Sequence, residues 1–485
     1  MSVSSKMLAR ERDAQQAVFT HTVGGQGAAE GPTFGVVNPA TGQVFAQCPD
    51  ASQGLLDSAV AAARQAAPAW AAAGFEARRQ ALIAFGAAIT QHADEIAALL
   101  TLEQGKPYAN ALGEVQRTSL TIERTTSMKV DTEVLRDDAQ GRVELHYRPL
   151  GVAAAITPWN VPIGLAMGKI VHALYTGNTL VLKPSPYTPL ATLKLGEVAR
   201  GVLPDGVLNV VAGGNDLGRW MSEHPGIDKV SFTGSGPTGR KVMGSAAGNL
   251  KRVTLELGGN DAAIVLPGAD IAAIAPRLYM AAFSNSGQIC MAIKRLYVHR
   301  SQHGALCDAL AALARASVVG DGFQDGVQLG PVQNRAQYDF VRGLLDDTRA
   351  AGGRFLSGGQ AMDRPGYFIE PTVVTDVAED SRVVQEEPFG PLLPVLAYDD
   401  VQDAVQRANA TDFGLSGSAW GPDVAAAAAV AAQLQVGTAW VNQHLALDPF
   451  VPFGGAKQSG LGREFSPLGL KSYMEATALF IPART

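Results

Sequence analysis

The spacing of apolar positions changes character along the chain. From Ser52 to about Leu102 apolar residues recur at helical spacing in an Ala-rich background, as in Leu82, Ile83, Phe85, Ile89, Ile96, Leu99 and Leu100, which predicts a helical block. Between Asp131 and Arg148 the period drops to two. Val143, Leu145 and Tyr147 alternate there with Arg142, Glu144, His146 and Arg148, the pattern of a half-exposed strand in a protruding hairpin. From Gly151 onward short apolar runs alternate with helical segments, the signature of a parallel sheet covered on both faces. The clearest runs are Gly151 to Ile156, Thr179 to Lys183, Val207 to Val211 and Lys229 to Thr233. Ahead of all these, residues 1 to about 30 are polar and weakly patterned and read as a loose arm. The Asn38-Pro39 and Thr41-Gly42 pairs then mark a turn between two short extended runs.

Composition narrows the chemistry. A chain of 485 residues that is 47% hydrophobic can bury large cores, and its length suggests two or three domains. The net charge of −6 gives no basic footprint for nucleic acid or anionic membrane. No stretch is long and apolar enough to span a bilayer, and Met1 to Gln16 is charged where a signal peptide would be apolar, so a cytoplasmic protein is expected. The three cysteines, Cys48, Cys290 and Cys307, include no Cys-x-x-Cys pair, so neither a disulfide framework nor a metal site is expected. Thiolate chemistry stays open. Cys290 follows Gly287, where backbone can approach a ligand, although a lone cysteine is more often a small buried apolar group.

Two further stretches carry chemistry. The run ending at Ile156 passes into Thr157-Pro158-Trp159-Asn160-Val161-Pro162, a stiff loop at a strand's carboxyl end, where open α/β sheets place ligands. The run ending at Thr233 passes into Gly234-x-Gly236-x-x-Gly239, a tight turn at a helix start whose free N–H groups suit a phosphate. An acid, Glu256, follows about 20 residues later, near where a ribose-binding carboxylate belongs. The Leu257-Gly258-Gly259-Asn260 turn after it would leave its carboxylate at the edge of a cleft rather than buried in a sheet.

Taken in order, Thr157-Pro158-Trp159-Asn160, Lys183-Pro184-Ser185, Phe232-Thr233-Gly234-Ser235, Glu256-Leu257-Gly258-Gly259, Gly287-Gln288-Ile289-Cys290, Glu387-Pro388-Phe389-Gly390-Pro391 and Pro452-Phe453-Gly454-Gly455 resemble the aldehyde dehydrogenase superfamily over nearly the whole chain. The resemblance implies an α/β fold in three parts. These are a Rossmann-like cofactor domain over 1–126 and 150–258, an α/β catalytic domain over 259–470, and a small β oligomerisation module. That module covers 127–149 and 471–485 and pairs the hairpin with a strand near Ala476 to Pro482, giving a homodimer or homotetramer.

It also implies NAD(P)-dependent oxidation of an aldehyde to a carboxylate. Cys290 would attack the carbonyl carbon, the Asn160 amide and a backbone N–H near Cys290 would receive the oxyanion, and hydride would pass to the nicotinamide. Glu256 would then activate water to hydrolyse the thioester, with Lys169 nearby. Cofactor contacts would come from Thr157, Pro158, Trp159, Lys183 at the adenine ribose, Ser185, Pro186, Gly214, Phe232, Gly234 and Ser235 at the pyrophosphate, Leu257, Glu387 at the nicotinamide ribose, and Phe389 beside the nicotinamide. The substrate would meet Gly164, Gly168, Ser284, Ile289, Leu447 and Phe453.

Two departures stand out. Pro186 occupies a position where many relatives carry a ribose-binding glutamate, so a 2′-phosphate is no longer repelled; NAD is expected, with NADP possible. Gly168, Ser284 and Leu447 replace large aromatics of the substrate tunnel, so a wider, more polar mouth is expected, with His444 and Asp448 nearby. A CoA-acylating dehydrogenase would form the same thioester, but Glu256 favours water as acceptor. A cysteine hydrolase would leave the cofactor motifs unexplained, and a non-enzymatic protein would not be expected to keep Cys290, Glu256 and Asn160 together.

Overall fold

The computed structural model describes residues 12–29 and 31–483. Its first sheet runs, from edge to edge, Gly460–Leu461, Arg252–Glu256, Lys229–Thr233, Val152–Ile156, Thr179–Lys183, Leu208–Val210, His21–Val23 and Gln26–Ala28. The five central strands are parallel, with antiparallel strands at both ends. Alternation within each strand feeds two separate cores. Val152, Ala154 and Ile156 pack with Leu56, Ala59 and Val60 of helix Gln53–Ala72, while Ala153 and Ala155 face Ile163, Ala166 and Ile170 of helix Pro162–Tyr175. Because both faces are covered, these strands read as unbroken apolar runs. The helical block comprises Gln53–Ala72, Gly74–Gln91, Ala93–Gln104 and Tyr108–Ser127.

The loose arm expected for residues 1 to about 30 is corrected in its second half; 1–11 and 30 lie outside the described residues. Thr20, His21 and Thr22 are fastened by the Arg200 guanidinium, at 2.6 to 2.9 Å, and Thr22 pairs with Val210 as an added edge strand. Polar side chains that looked like an unpatterned arm are partners for a half-buried arginine.

A second sheet runs Arg354–Ser357, Thr372–Thr375, Leu392–Tyr398, Ile293–His299, Asp261–Val265, Ser416–Trp420 and Thr438–Val441, parallel except at its first strand. Leu257 to Asn260 carries the chain from the first sheet into it, and the carboxyl ends of the first sheet's strands open on the junction. The chain later crosses back: Gly460–Leu461 lies on the first sheet, inside the range 259–470 expected for the second.

The hairpin is there as well, with Glu133–Asp138 antiparallel to Gly141–Pro149 and Met474–Pro482 antiparallel along the other side. Met474–Pro482 leaves its outer edge unpaired among the described residues, with Phe480 70% exposed. No helix among them is long and apolar enough to cross a membrane.

Candidate active site

Cys290 stands on a loop that its own backbone forces into an unusual path. Helix Ile271–Phe283 ends, and Asn285, Ser286 and Gly287 follow with φ of 54°, 57° and 74°. Left-handed backbone is costly for Asn and Ser, so the turn needs external support. Ser286 donates to the Gly330 carbonyl at 2.7 Å, and Gln288 is held by Gln333, Pro331 and Asn285. At Gly287 a Cβ would stand 2.1 Å from the Gly390 carbonyl oxygen, so only glycine lets this loop lie against Glu387-Pro388-Phe389-Gly390. Cys290 remains partly accessible, whereas Cys48 and Cys307 are buried.

Asn160 approaches from the first sheet. Its amide donates to the Gln288 carbonyl at 2.9 Å, which commits one N–H and leaves the second beside the Cys290 loop. The loop that carries it is fixed by a buried ion pair that motif reading missed. Lys106 and Glu114, 2.5 Å apart, divide the work: Lys106 donates to the Asn160 carbonyl at 3.0 Å. Glu114 accepts the N–H groups of Ile163 and Gly164 at 2.9 and 3.0 Å, capping helix Pro162–Tyr175.

Glu256 ends strand Arg252–Glu256 and is 4% exposed, which corrects the expected cleft-edge position: the carboxyl turns inward under the Gly454 backbone, where a Cβ would lie 2.7 Å from Oε1. Neither oxygen makes a hydrogen bond of good geometry, although the Gly455 N–H lies close enough to favour the ionised form. Burial raises its pKa well above the ordinary carboxylate range, Glu464 adds repulsion, and Lys169 and Arg463 oppose both. Lys169 is buried rather than a surface cation. It donates to Ser231 Oγ at 2.9 Å and pairs with Glu464 rather than touching Glu256 or Cys290. Burial pushes the Glu464 carboxyl up, but Lys169 and the hydrogen bond from Ser231 outweigh it and hold it below the usual range. Glu464 escaped sequence reading because it is so distant in the chain from its partner.

On the cofactor face, Lys183 ends its strand 4% exposed, and its ammonium donates to the neighbouring Pro184 carbonyl at 3.2 Å. Burial brings its pKa down to about 8, with Asp50 opposing. It faces Gly218 on helix Asn215–Glu223, whose N-cap Gly214 looks onto open space. Ser185 accepts the Tyr187 N–H, and Pro186 beside it is partly exposed. Helix Gly236–Ala246 begins after Ser235 with no side-chain cap, so its first N–H groups are free to bind an anion. Gly234 packs on Phe232 and Gly239 on Leu257, each so closely that a Cβ would collide. Thr157 Oγ1 and Thr233 Oγ1 are buried without partners at the same junction, and Trp159 meets the Phe389 ring edge-on at 5.2 Å. Pro158 lies beside them, partly exposed. An elongated anionic ligand with hydroxyls fits this set of free donors. Glu387 is occupied from within the protein, accepting from the Gly259 N–H and from Lys294, both at 3.2 Å.

The expected substrate residues are spread over a wider area. Gly168 faces Phe465, which neighbours Phe453; Ile289 and Ser284 flank the nucleophile loop; Leu447 is 44% exposed at the rim. Gly164 meets Glu114 through its backbone. His444 does not supply a free polar group to the mouth. Its ring nitrogens lie 2.9 Å from Ser418 Oγ and 2.8 Å from the Met291 carbonyl, and burial lowers its pKa to about 3. Asp448 instead accepts the Phe450 N–H.

Known proteins resemble this chain along nearly its whole length. The aldehyde dehydrogenase family profile matches residues 27–479. An aldehyde dehydrogenase, LUC3, of a Fusarium species is 38% identical over 465 residues, covering 96% of this chain and 98% of that protein. The NAD+ complex of an aldehyde dehydrogenase from Bacillus cereus superposes with a TM-score of 0.93 at 33% identity, covering 98% of each chain. Betaine aldehyde dehydrogenase from Staphylococcus aureus, also solved with NAD+, gives 0.94 at 30% identity, covering 99% of this chain and 98% of that one. With the family profile spanning most of the chain, and relatives of this identity and fold covering nearly all of it, the chain belongs to the aldehyde dehydrogenase family.

Proposed function

We propose that this chain oxidises an aldehyde to a carboxylate through a thioester on Cys290, with NAD as hydride acceptor and NADP tolerated. The observation that carries the reading is the gathering around one loop of a partly accessible thiol, an amide with one N–H uncommitted and a buried carboxyl, without a well-formed hydrogen bond, whose charge the thiol feels. The Cys290 thiolate adds to the carbonyl carbon, and the developing oxyanion takes the free Asn160 N–H together with a backbone N–H of the loop. When bound, the nicotinamide accepts the hydride that the collapsing oxyanion expels. Glu256, its basicity raised by burial, then takes a proton from water as that water attacks the thioester.

The free N–H groups at Gly236–Ala246 and the Lys183 ammonium would hold the pyrophosphate and adenine ribose. Thr157, Pro158, Trp159, Phe232, Leu257 and Phe389 would form the walls, and Glu387 would take the nicotinamide ribose once released from Lys294. Residues 1–126 and 150–258 would act as the cofactor unit and 259–470 as the catalytic unit. The unpaired edge of Met474–Pro482, with Phe480 exposed, supports a homo-oligomer built through residues 127–149 and 471–485.

The test is formation of reduced nucleotide across an aldehyde panel, run with NAD and with NADP. Cys290→Ala is expected to abolish turnover while retaining nucleotide binding, and Cys48→Ala and Cys307→Ala to behave as wild type. Substantial turnover by Cys290→Ala would overturn the reading.

A further inference from the structure

Lys294 is the charged side chain next to the nucleophile loop to which the reading above gives no role. It is the second residue of strand Ile293–His299, and its side chain is 3% exposed. Its ammonium folds back beneath the loop that precedes it, donating to the Ile289 carbonyl at 2.9 Å and to the Cys290 carbonyl. It lies 3.2 Å from Glu387 Oε1 and 5.8 Å from the centre of the Phe389 ring. A buried ammonium is expensive, and this one is satisfied largely by the backbone of the very residues that present the thiol.

The charges around Cys290 come from several elements. Glu387 enters from the loop after helix Arg382–Gln385, Asp261 from the start of the neighbouring strand, and Glu256 from the end of the first sheet; all three disfavour a thiolate. Arg295 is turned away, onto the carbonyls of Asn260 and Ala408, and His444 is neutral against the Met291 carbonyl. Burial pushes the thiol up, and Lys294 is the cation that opposes it.

Resting on the reading of Cys290 as nucleophile, we propose that Lys294 is a positioning residue with two tasks. It pins the Cys290 backbone by two carbonyls, and it supplies the positive charge against which the thiol releases its proton to solvent. Glu387 is the counterweight: paired with Lys294 it neutralises that charge, and withdrawn from it leaves the charge to the thiolate. The carbonyl clamp accounts for why the charge sits here, since a lysine free to swing to Glu387 alone would leave the thiol unassisted.

The test uses alkylation of the purified full-length protein by iodoacetamide, in which the thiolate sulfur forms an S–C bond and iodide leaves. The rate at Cys290 is followed against pH by mass spectrometry, with Cys48 and Cys307 as internal controls. Lys294→Met is expected to raise the midpoint by about one pH unit or more, which is roughly a tenfold loss of thiolate below both midpoints. Lys294→Arg is expected to retain most of the wild-type profile, and Glu387→Gln to move the midpoint down. An unchanged midpoint in Lys294→Met, or an upward shift in Glu387→Gln, would overturn the proposal. If Lys294→Met leaves too much unpaired charge to fold, the double variant Lys294→Met with Glu387→Gln removes both members of the pair. Its midpoint should still lie above that of Glu387→Gln, and equality would refute the role. Alkylation needs no turnover, so a failure here is separate from a failure of the Cys290 reading, which the turnover of Cys290→Ala decides.

Discussion

Glu256→Gln keeps the shape of the side chain and removes its charge, and the surroundings of Glu256 make two consequences calculable. The first is kinetic. Without a base for the attacking water, acylation should still proceed, giving a rapid stoichiometric burst of reduced nucleotide followed by steady turnover slower by ~10²–10⁴. The second is a gain in stability that depends on pH. Burial without a well-formed hydrogen bond, with repulsion from Glu464 added, raises its folded-state pKa well above the ordinary 4.5, and Lys169, Arg463 and the Gly455 N–H oppose this only in part. As pH rises past about 4.5 the unfolded chain has released this proton while the folded chain still holds it. The folded state therefore binds more protons, and its stability falls as pH rises toward the folded pKa. Glutamine abolishes that loss. The variant should match wild type near pH 4 and be more stable at pH 8 by about 1–3 kcal/mol, the range for relieving an unsatisfied buried group. Stopped-flow absorbance reads the burst, and thermal unfolding at the two pH values reads the stability. An unchanged steady-state rate would remove Glu256 from deacylation. A variant less stable than wild type at the higher pH would mean that the carboxylate has a partner holding its ionised form, and the electrostatic argument would fail.

Pro186→Glu should restore repulsion beside the Lys183 site and lower the specificity constant for NADP by roughly tenfold, an electrostatic cost on the order of 1–2 kcal/mol, while NAD stays within a few-fold; steady-state kinetics with both nucleotides decide it. Glu114→Gln should leave the Lys106 ammonium buried without its counter-ion and cost about 3–5 kcal/mol in urea denaturation. It should also lower turnover by loosening the Asn160 loop.

What could be read from the sequence was whatever chemistry and local backbone demand in the same short stretch. Gly234 and Gly239 mark a turn because each sits where a Cβ would collide, and the cysteine loop declares itself through Gly287 for the same reason. Parallel strands announced themselves as apolar runs since both their faces are buried. The residues missed are those whose partners lie far along the chain. Glu464 meets Lys169 across 295 positions, and Glu114 meets the Gly164 N–H across 50. No local pattern encodes such pairings. Lys294 did leave a trace: two consecutive cations, Lys294 and Arg295, open a strand whose burial is otherwise complete but for its last residue. A charge at such a position has to be held by something. The hairpin at residues 21–28 was misread because the amphipathic signal of an edge strand is short, and Arg200, which secures it, comes more than 170 residues later.

The joint from Leu257 to Asn260 sets the mechanical tolerance of the molecule. At Gly258 a Cβ would fall 2.1 Å from Glu387 Oε2, and at Gly259 it would fall 2.8 Å from the Cys290 carbonyl oxygen and from Leu415. Asn260 is bolted at both ends, its amide to the Val384 carbonyl at 2.7 Å and its carbonyl to Arg295 at 2.8 Å. The two sheets are thus separated, where the chain crosses between them, by the thickness of a bare backbone. Glu256 lies on the first-sheet side of that strip while Cys290 and Glu387 pack on the other, so a tilt of one sheet against the other passes directly into the gap between Glu256 and Cys290, with no side chain between to absorb it.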